Sequence, residues 1–512
     1  MVALVGLDQE QRVLAVDRER GEYHADRLSG GDFLGATIPG MPVVRVLPYS
    51  RLSRPESSAL LQEDLSDVDA VFADEAHCLS DRKSRRTARW IRFMAQKRGQ
   101  IPFACASGSM IKKTLDDVAH LALFALGGGS PYPLDRGEVE RWCAVVDPVR
   151  DPDLKSSTYR ALRRAFGKKH DDLDPLESLF GGSIGAIREG ILDRVVRTPG
   201  VVATRVSEAT ASITLSEFKV PPMPEGVKKL LADVRQRWVR PDGEELQEAF
   251  EATACAKDVA CGFHYFWHFF HNPSPEKVEA WYAARKPWHK ESRAKILEDI
   301  PKLDSQHLCE NAARRAYQDP PYDGPLPTWR AGTWPAWAAV MDTIDYEPRS
   351  NWLDDWFAEA CARWAQENVG IVWYASTPLG ERIAKLSGCT LHRGGPNAEE
   401  RILAERGDKS IIVSISAHKE SRDGLQHHFH RGLVAEPMSS GDGWHQLLGR
   451  YCRPGQKADT VEICVPLHVE EFRNAMRSAF RYAEFDAASS PNKQLLLAAD
   501  PDEGVAACAG GR

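Results

Sequence analysis

The stretch that decides the fold is residues 68–80, which read VDAVFADEAHCLS. Its first half is a short apolar run of the kind that forms a buried strand, and two adjacent carboxylates, Asp74 and Glu75, follow directly. Ligands of open α/β sheets bind at the carboxyl ends of the strands. The stretch therefore predicts an α/β protein with a polar site just after this strand.

Similar apolar runs recur on both sides of this stretch and again near the end of the chain. Helical patterns such as residues 87–96 and 378–387 separate them. Apolar strands that alternate with helices are typical of parallel sheets whose two faces are both covered. The further runs that predict strands are 43–47, 101–106, 370–375, 411–415, 432–435 and 461–466.

The chain divides by pattern into four segments. The two α/β blocks are residues 1–225 and 351–485. Residues 226–350 between them are rich in Trp, Arg and Glu and have helical periodicity, so we expect a helical connector. Residues 486–512 show weak periodicity, which predicts a disordered tail.

Composition limits the class of protein. The chain has 512 residues, enough for two or three domains, and is 43% hydrophobic and 27% charged, as in soluble globular proteins. It has no apolar run long enough for a membrane span, no pattern of a secretory signal, and 11 cysteines without a CxxC pair. These features predict a cytoplasmic protein with no membrane partner. The net charge of −7 argues against a surface coated in basic residues but leaves room for a local groove that binds nucleic acid.

Two adjacent carboxylates after a buried strand can divide one chemical task. Asp74 is placed to hold Mg²⁺, directly or through water, and Glu75 to orient and deprotonate an attacking water. His77 is placed to link this site to the facing half of the protein. The alternative is an acidic helix start that favours the helix dipole. The apolar strand directly before the pair favours the catalytic interpretation.

A pair of arginines lies in the second block, within HQLLGRYCRPGQ at 445–456. Arg450 and Arg453 are three residues apart, so a helix would present both on one face. Planar guanidinium groups suit the charge that develops on a transferring γ-phosphoryl group. A solvated basic helix end is the alternative, which the full spacing Q-x-x-G-R-x-x-R-x-G-Q disfavours.

These stretches resemble the motifs of superfamily two helicases, and within them the Swi/Snf-type translocases and their phage relatives. Asp74-Glu75-Ala76-His77 resembles motif II, Ser107-Gly108-Ser109 resembles motif III, and Gln446 to Gln456 resembles motif VI. Residues 370–376 and 414–426 are similar to motifs IV and V. The motifs also follow the order that the family has.

The resemblance implies two RecA-like lobes with ATP and Mg²⁺ in the cleft between them, and movement along DNA or RNA. It implies catalytic roles for Glu75, Gln446, Arg450 and Arg453. The residues it places at the nucleotide are Asp74, His77, Asp423 and Gly424, and those it places at the nucleic acid are Ser107, Ser376 and Ser416.

One part of such a motor is missing from the sequence. A P-loop, G-x-x-x-x-G-K-[ST], cradles the phosphates in this class, and the only Gly-Lys pair here, Gly167-Lys168, lacks that pattern. Three explanations compete: the loop belongs to a separate polypeptide, the sequence is a truncated reading of a longer gene, or the chain is an ATPase-inactive nucleic-acid-binding or assembly subunit. The retained Glu75 and the arginine pair favour the first two explanations.

Three further patterns have plain alternatives. Residues 82–98 hold eight basic residues, which suit either a phosphate backbone or a solvated helix face. A cysteine–histidine cluster between 255 and 271 has a spacing that fits no common zinc site, and its aromatic residues indicate core packing. Six tryptophans near the second block are also predicted to pack rather than to stack on bases: Trp329, Trp334, Trp337, Trp352, Trp356 and Trp364.

Overall fold

The computed structural model describes most of the chain, with short gaps. The residues that it describes are 2–5, 12–17, 22–27, 44–47, 49–53, 68–82, 84–97, 99–108, 110–148, 156–166, 182–203, 211–244, 246, 249–298, 303, 305–324, 326–395, 397–419, 424–490 and 494–509. Asp423 and Ser109, two residues of the predicted motifs, lie outside these ranges.

Strands occur along the whole described chain, in chain order β1 (Val2–Val5), β2 (Arg12–Asp17), β3 (Glu22–Arg27), β4 (Val44–Leu47), β5 (Ala70–Ala73), β6 (Phe103–Cys105), β7 (Ser212–Phe218), β8 (Phe263–Phe269), β9 (Tyr346–Trp352), β10 (Ile371–Tyr374), β11 (Thr390–His392), β12 (Ile411–Ser414), β13 (Arg431–Val434), β14 (Thr460–Pro466) and β15 (Asp500–Pro501).

The α-helices are, in chain order, α1 (Tyr49–Leu52), α2 (Arg85–Gln96), α3 (Asp116–Leu126), α4 (Arg136–Val146), α5 (Ser156–Phe166), α6 (Gly182–Arg197), α7 (Glu225–Arg237), α8 (Ala249–Ala260), α9 (Pro275–Leu297), α10 (Gln306–Ala316), α11 (Trp334–Val340), α12 (Trp356–Glu367), α13 (Thr377–Ser387), α14 (Ala398–Leu403), α15 (Ile415–His418), α16 (Gly441–Leu448), α17 (Glu470–Ser489), α18 (Leu495–Ala498) and α19 (Glu503–Ala506). Short 3₁₀ helices span Ala76–Leu79, Gly127–Gly129 and Leu425–His427.

The chain forms two compact units, each built from two segments. The first unit is 1–106 with 266–349, and the second is 107–265 with 350–512. The predicted strands and the parallel α/β class are confirmed in both units. The boundaries differ from the predicted segments, because the connector is shared between the units instead of forming one of its own.

A four-stranded parallel sheet organises the first unit. Its strand order is β4-β1-β5-β6, so β5 lies inside the sheet and β6 is an edge. Val71 and Ala73 of β5 are buried. Ser84 caps α2 by accepting a hydrogen bond from the Thr87 N–H at 3.3 Å. The fully buried Trp90 of α2 then packs against Phe103 of β6. The carboxylate pair therefore follows a buried central strand, as the sequence predicts.

The first unit also contains the antiparallel pair β2-β3, most of the pair β8-β9, and an aromatic helical part made by α9, α10 and α11. Trp281 and Trp288 of α9 are buried, and Trp334 and Trp337 of α11 pack against them edge-to-face with ring centroids 5.0 and 5.9 Å apart. The side chains of Trp334 and Trp337 are each only 4% exposed. For these two residues the predicted packing role is confirmed.

A seven-stranded parallel sheet organises the second unit, with strand order β11-β12-β10-β13-β14-β7-β15. Along β10 the side chains alternate between two cores. Trp373 packs into the core on one face, and Val372 and Tyr374 into the core on the other. Because both faces are covered by helices, the strand is apolar at every position.

Two elements of this sheet differ from the sequence prediction. The strand β7 lies before residue 225, where the sequence predicts the first lobe, yet it pairs with β14 of the second sheet. The predicted disordered tail contains α18, β15 and α19, and β15 pairs with β7. Leu495, Leu496 and Val505 are buried in the core of the second unit, and this burial orders the segment.

No helix in the described ranges has both the length and the apolarity that a bilayer crossing requires.

The start of α16 depends on a glycine. An added Cβ at Gly441 would lie 2.6 Å from the Ala483 backbone nitrogen and 3.0 Å from the Ala479 carbonyl of α17. We expect Gly441→Ala to lower the free energy of unfolding by about 1–3 kcal/mol, because the added methyl group would meet the backbone of α17, which cannot move aside as a flexible side chain can. The matched control is Gly226→Ala in the first turn of α7, where an added Cβ meets open space. Thermal unfolding of both variants tests this, and equal melting temperatures would refute it.

Candidate functional site

A strained turn presents the carboxylate pair. Glu75 has φ 46° and ψ 47°, the left-handed conformation that non-glycine residues rarely adopt. The next residue holds this turn, since the Ala76 N–H donates to the Ala106 carbonyl at 2.9 Å and the Ala106 N–H donates to Ala73. A non-glycine residue in this left-handed backbone conformation costs of order 1–3 kcal/mol of conformational strain, and such strain concentrates at functional sites. The turn therefore marks Glu75 as a candidate for chemistry.

Asp74 is fixed from two sides. The Tyr49 hydroxyl donates to its carbonyl at 2.6 Å, and its Oδ1 accepts the Glu75 N–H at 3.0 Å. Burial raises the pKa of the Asp74 carboxyl. The hydrogen bond from Glu75 opposes this rise, the Glu75 charge adds to it, and His77 lowers the pKa again. A cation at this carboxylate would relieve the desolvation that raises its pKa.

The His77 side chain is fully buried and turns back to its own loop. Its Nδ1 lies 3.1 Å from Glu75 Oε2, while the Glu75 side chain is 25% exposed. The predicted link from His77 to the facing half of the protein stays a prediction, and within its own loop His77 contacts Glu75. This contact orients one carboxylate oxygen of Glu75.

The donor set of this loop fits a magnesium ion. Mg²⁺ in phosphoryl-transfer sites keeps several waters and binds one or two carboxylates together with substrate phosphates. Asp74 supplies one such carboxylate at the end of a strand. No group of three His, Cys, Asp or Glu side chains in the described ranges would hold a metal by protein ligands alone.

The arginine pair lies beyond a helix, not on it. The helix α16 ends at Leu448, and Arg450 and Arg453 follow in the turns between α16 and β14. The predicted shared helix face is therefore wrong. Gly449 is the C-cap residue of α16, and its N–H donates to the His445 carbonyl at 2.9 Å.

Buried contacts fix this turn, which we call the arginine loop (residues 449–456). Arg450 is 2% exposed, and its Nε donates to the Gln446 carbonyl at 3.2 Å. The buried Tyr451 accepts a hydrogen bond from Trp373 Nε1 at 2.8 Å. The Gln456 amide donates to the carbonyls of Tyr451 and Phe429, each at 3.1 Å. The loop is thus held rigidly enough to position a guanidinium group.

The predicted motif V region meets this loop. The Gly424 N–H donates to Gln426 Oε1 at 2.9 Å, and Gln426 Nε2 donates to the Pro454 carbonyl at 3.4 Å. Gly424 has φ 107°, a conformation that favours glycine. Gln426 therefore connects Gly424 to the arginine loop, and the nucleotide contacts predicted for both stay a prediction. The role predicted for Asp423 falls outside the described residues.

The predicted motif III region lies beside α16. A Cβ added at Gly108 would be 4.0 Å from Gln446 Nε2. A few residues later, the Lys112 ammonium lies 3.8 Å from the buried Asp442 carboxylate at the start of α16. Ser107, one residue before Gly108, is half-buried. Motifs III and VI are thus neighbours within the second unit.

Ser376 and Ser416 lie beyond the carboxyl ends of two strands of the second sheet, at the opposite end of the strands from the arginine loop. They follow the carboxyl ends of β10 and β12 by two residues, whereas the arginine loop leads into the amino end of β14. The two ends are separated by the length of a strand, roughly 13 Å for four residues. Ser376 and Ser416 therefore lie at the opposite end of the strands from the arginine loop, whereas Ser107, also predicted for the nucleic acid, precedes Gly108 beside Gln446.

Glu436 organises the Ser376 end of the strands, a role that the sequence did not reveal. Its carboxylate accepts the N–H groups of Ala375 and Ser376, both at 2.8 Å, and the Ser376 hydroxyl at 2.6 Å. Burial, and next the charge of Glu436, raise the pKa of Asp258 to about 7. The position of Glu436, two residues after the end of β13, was the available signal. Ser416 is exposed, and its hydroxyl lies 3.0 Å from that of Ser414.

The basic segment 82–98 does not form one basic face. Arg89 is 2% exposed, and its guanidinium donates to the Leu52 carbonyl at 3.0 Å. Arg86 donates to Ser53 and lies over the Tyr49 ring at 5.6 Å. These two arginines hold α1 and its neighbouring turn against α2, so their contacts are structural.

Two cysteines of the cluster between 255 and 271 have the contacts of core residues. Cys255 and Cys261 are buried in an apolar core of the second unit, and burial raises the pKa of both thiols. Within the first unit, His268 packs edge-to-face on Phe266 and Phe270. Aromatic and apolar neighbours thus explain these side chains.

No protein-family model matches the chain, and no curated protein matches it significantly. The resemblance to superfamily two helicases stays a prediction.

Proposed function

We propose that this chain is the motor part of an ATP-dependent helicase or translocase that moves on nucleic acid, DNA in the first instance. The observation that carries the proposal is the strained Glu75, which follows Asp74 at the carboxyl end of a parallel sheet and whose carboxylate is oriented by His77. This arrangement suits a group that positions and deprotonates a water molecule. We further propose that the two parallel sheets belong to RecA-like lobes.

The residues have separate tasks in this proposal. Asp74 holds a magnesium ion, which neutralises charge on the phosphate oxygens. Glu75 orients the attacking water and accepts its proton. Arg450 and Arg453 stabilise the charge that develops on the γ-phosphoryl group, and the rigid arginine loop keeps the cost of positioning them low. The proposal requires both groups of residues to act on one ATP molecule.

The chain supplies a short covalent link between the two groups. The Ala106 carbonyl accepts the hydrogen bond that holds the Glu75 turn, and only Ser107 stands between Ala106 and Gly108 beside Gln446. A change in the carboxylate turn during hydrolysis would therefore act on the chain directly at the point where the second unit begins. Such coupling of hydrolysis to movement of an element is what a translocase needs.

A phosphate-cradling loop has to come from outside residues 1–512, and the edge of β6 supports a place for its strand. Val71 donates to the Pro102 carbonyl and Ala106 donates to the Ala73 carbonyl, so alternate residues of β6 face β5. The backbone groups of Phe103 and Cys105 consequently face the open edge. Neighbouring strands are about 4.8 Å apart, so a strand added beside β6 would lie about 10 Å from β5. A strand added beside β4 would lie about 14 Å from β5. Among the described strands, the β6 edge would therefore bring such a loop closer to Asp74 than the β4 edge would.

The proposal is tested by ATP hydrolysis with and without DNA. The chain should be assayed alone and together with the P-loop polypeptide that we expect to be encoded beside it. We expect hydrolysis that requires both polypeptides and is stimulated by nucleic acid. If nucleic acid binds but ATP has no effect in any combination, the chain is instead an ATPase-inactive binding or assembly subunit, the function that the missing P-loop favours.

A further inference from the structure

The aromatic helical part of the first unit contains a cavity of about 480 Å³, which we call the connector pocket. One wall is apolar and comes from α11 and the turn after it: Trp334, Pro335, Ala338 and Met341. The volume lies within the range of small-ligand sites in proteins. This pocket belongs to neither group of residues to which the proposed function assigns ATP hydrolysis.

The lining also includes three exposed polar side chains. Arg314 and Gln318 come from the end of α10 and the turn after it, and Asp342 comes from the turn after α11. No salt bridge joins the Arg314 guanidinium to the Asp342 carboxylate in the described part of the chain. The pocket thus offers a cation, an amide and a carboxylate around an apolar wall.

Tyr317 completes the pocket and is prepared for stacking. Its side chain is 37% exposed, its hydroxyl donates to the Ala331 carbonyl at 2.9 Å, and the Arg330 guanidinium lies over its ring at 5.3 Å from the centroid. The hydrogen bond fixes the plane of the ring, so little side-chain entropy is lost when a planar ligand binds.

We propose that the connector pocket binds one unpaired base of a single-stranded nucleic acid, an inference that rests on the proposed function. A base is planar and apolar on its faces and carries donors and acceptors on its edge, which matches an apolar wall with a polar rim. An aromatic side chain of a partner protein would leave the Asp342 carboxylate and the Gln318 amide without partners. A nucleoside triphosphate would need several phosphate ligands, and the rim of the pocket offers one guanidinium group.

The carboxylate on the rim gives the pocket a base preference. Asp342 accepts hydrogen bonds, and the exocyclic amino groups of adenine and cytosine can donate them, whereas thymine has no such group. We therefore expect tighter binding of oligo(dA) and oligo(dC) than of oligo(dT). The preference should shrink in Asp342→Asn, because an amide can donate to the thymine carbonyl.

The test is the affinity of fluorescently labelled oligonucleotides for the protein without ATP, measured by anisotropy. Ala338→Phe fills the pocket from its apolar wall and should weaken oligo(dA) binding about tenfold, which is within the range for loss of one stacked base. The matched control is Ala336→Phe, which changes an exposed alanine of the same helix that does not line the pocket. An abasic oligonucleotide should bind wild type and Ala338→Phe equally.

Two results would overturn the inference. One is equal oligo(dA) affinity of Ala338→Phe and Ala336→Phe, and the other is the absence of binding to single strands. Either result leaves the proposed function standing if ATP hydrolysis is stimulated by duplex DNA. Conversely, equal rates of ATP hydrolysis by wild type and Glu75→Gln would refute the proposed function. The oligonucleotide affinities test the base preference independently of that result.

Discussion

Glu75→Gln is expected to abolish ATP hydrolysis stimulated by nucleic acid, with a loss of about 10²–10⁴-fold in kcat, the usual contribution of a general base. The amide keeps the size of the side chain and the strained turn but cannot accept a proton from water. It also replaces the contact to His77 at 3.1 Å with a weaker hydrogen bond. Binding of ATP should change little, because Glu75 acts on water and not on the nucleotide.

The matched control for this variant is Glu279→Gln, which makes the same change at an exposed residue of α9 in the same unit. Its kcat and melting temperature should equal those of the wild type. Hydrolysis by Glu75→Gln at the wild-type rate, in a preparation that includes the P-loop polypeptide, would remove Glu75 from the chemistry.

Arg450→Lys is expected to lower kcat by roughly 10³-fold, the lower limit for loss of an arginine that stabilises transferring phosphoryl charge. Lysine keeps the charge but lacks the planar fork that contacts two oxygens at once. The hydrogen bond from Arg450 Nε to the Gln446 carbonyl is also lost. The Michaelis constant for ATP should rise less than kcat falls, since the charge develops mainly in the transition state.

Because Arg450 is buried, a folding defect has to be separated from a catalytic one. Arg481→Lys, on the exposed face of α17, provides the matched surface control. We expect the melting temperature of Arg450→Lys to fall, with the folded protein at assay temperature still binding ATP. Unchanged kcat in folded Arg450→Lys would contradict the role of this residue.

The strands on either side of the site were predictable because burial on both faces makes parallel strands apolar at every position. β10 and β12 show this in four consecutive buried residues each. The pairing of β7 was not predictable, because β7 meets β14 some 247 residues later and nothing local specifies that partner. The ordered tail was missed for the same reason: Leu496 and Val505 are ordered only by a distant core.

The candidate site was predictable in its residue types more than in its geometry. The spacing of Asp74, Glu75 and the arginines follows from motif patterns. The end of α16 before Arg450 was not predictable, because Gly449 itself keeps a right-handed helical backbone and gives no strong stop signal. The contact of His77 with Glu75 and the role of Glu436 depend on turn geometry, which residue identity alone does not encode.

The proposed function requires Glu75 and Arg450 to act on the same ATP molecule. A double-mutant cycle measured by single-turnover hydrolysis tests this requirement most directly. When two residues stabilise the same transition state, replacing the second adds little to the loss of rate caused by replacing the first. The double variant Glu75→Gln with Arg450→Lys should therefore hydrolyse ATP at a rate within about threefold of that of the slower single variant. If the two losses multiply instead, or if the double variant falls below background while both single variants remain measurable, the two residues do not share a transition state.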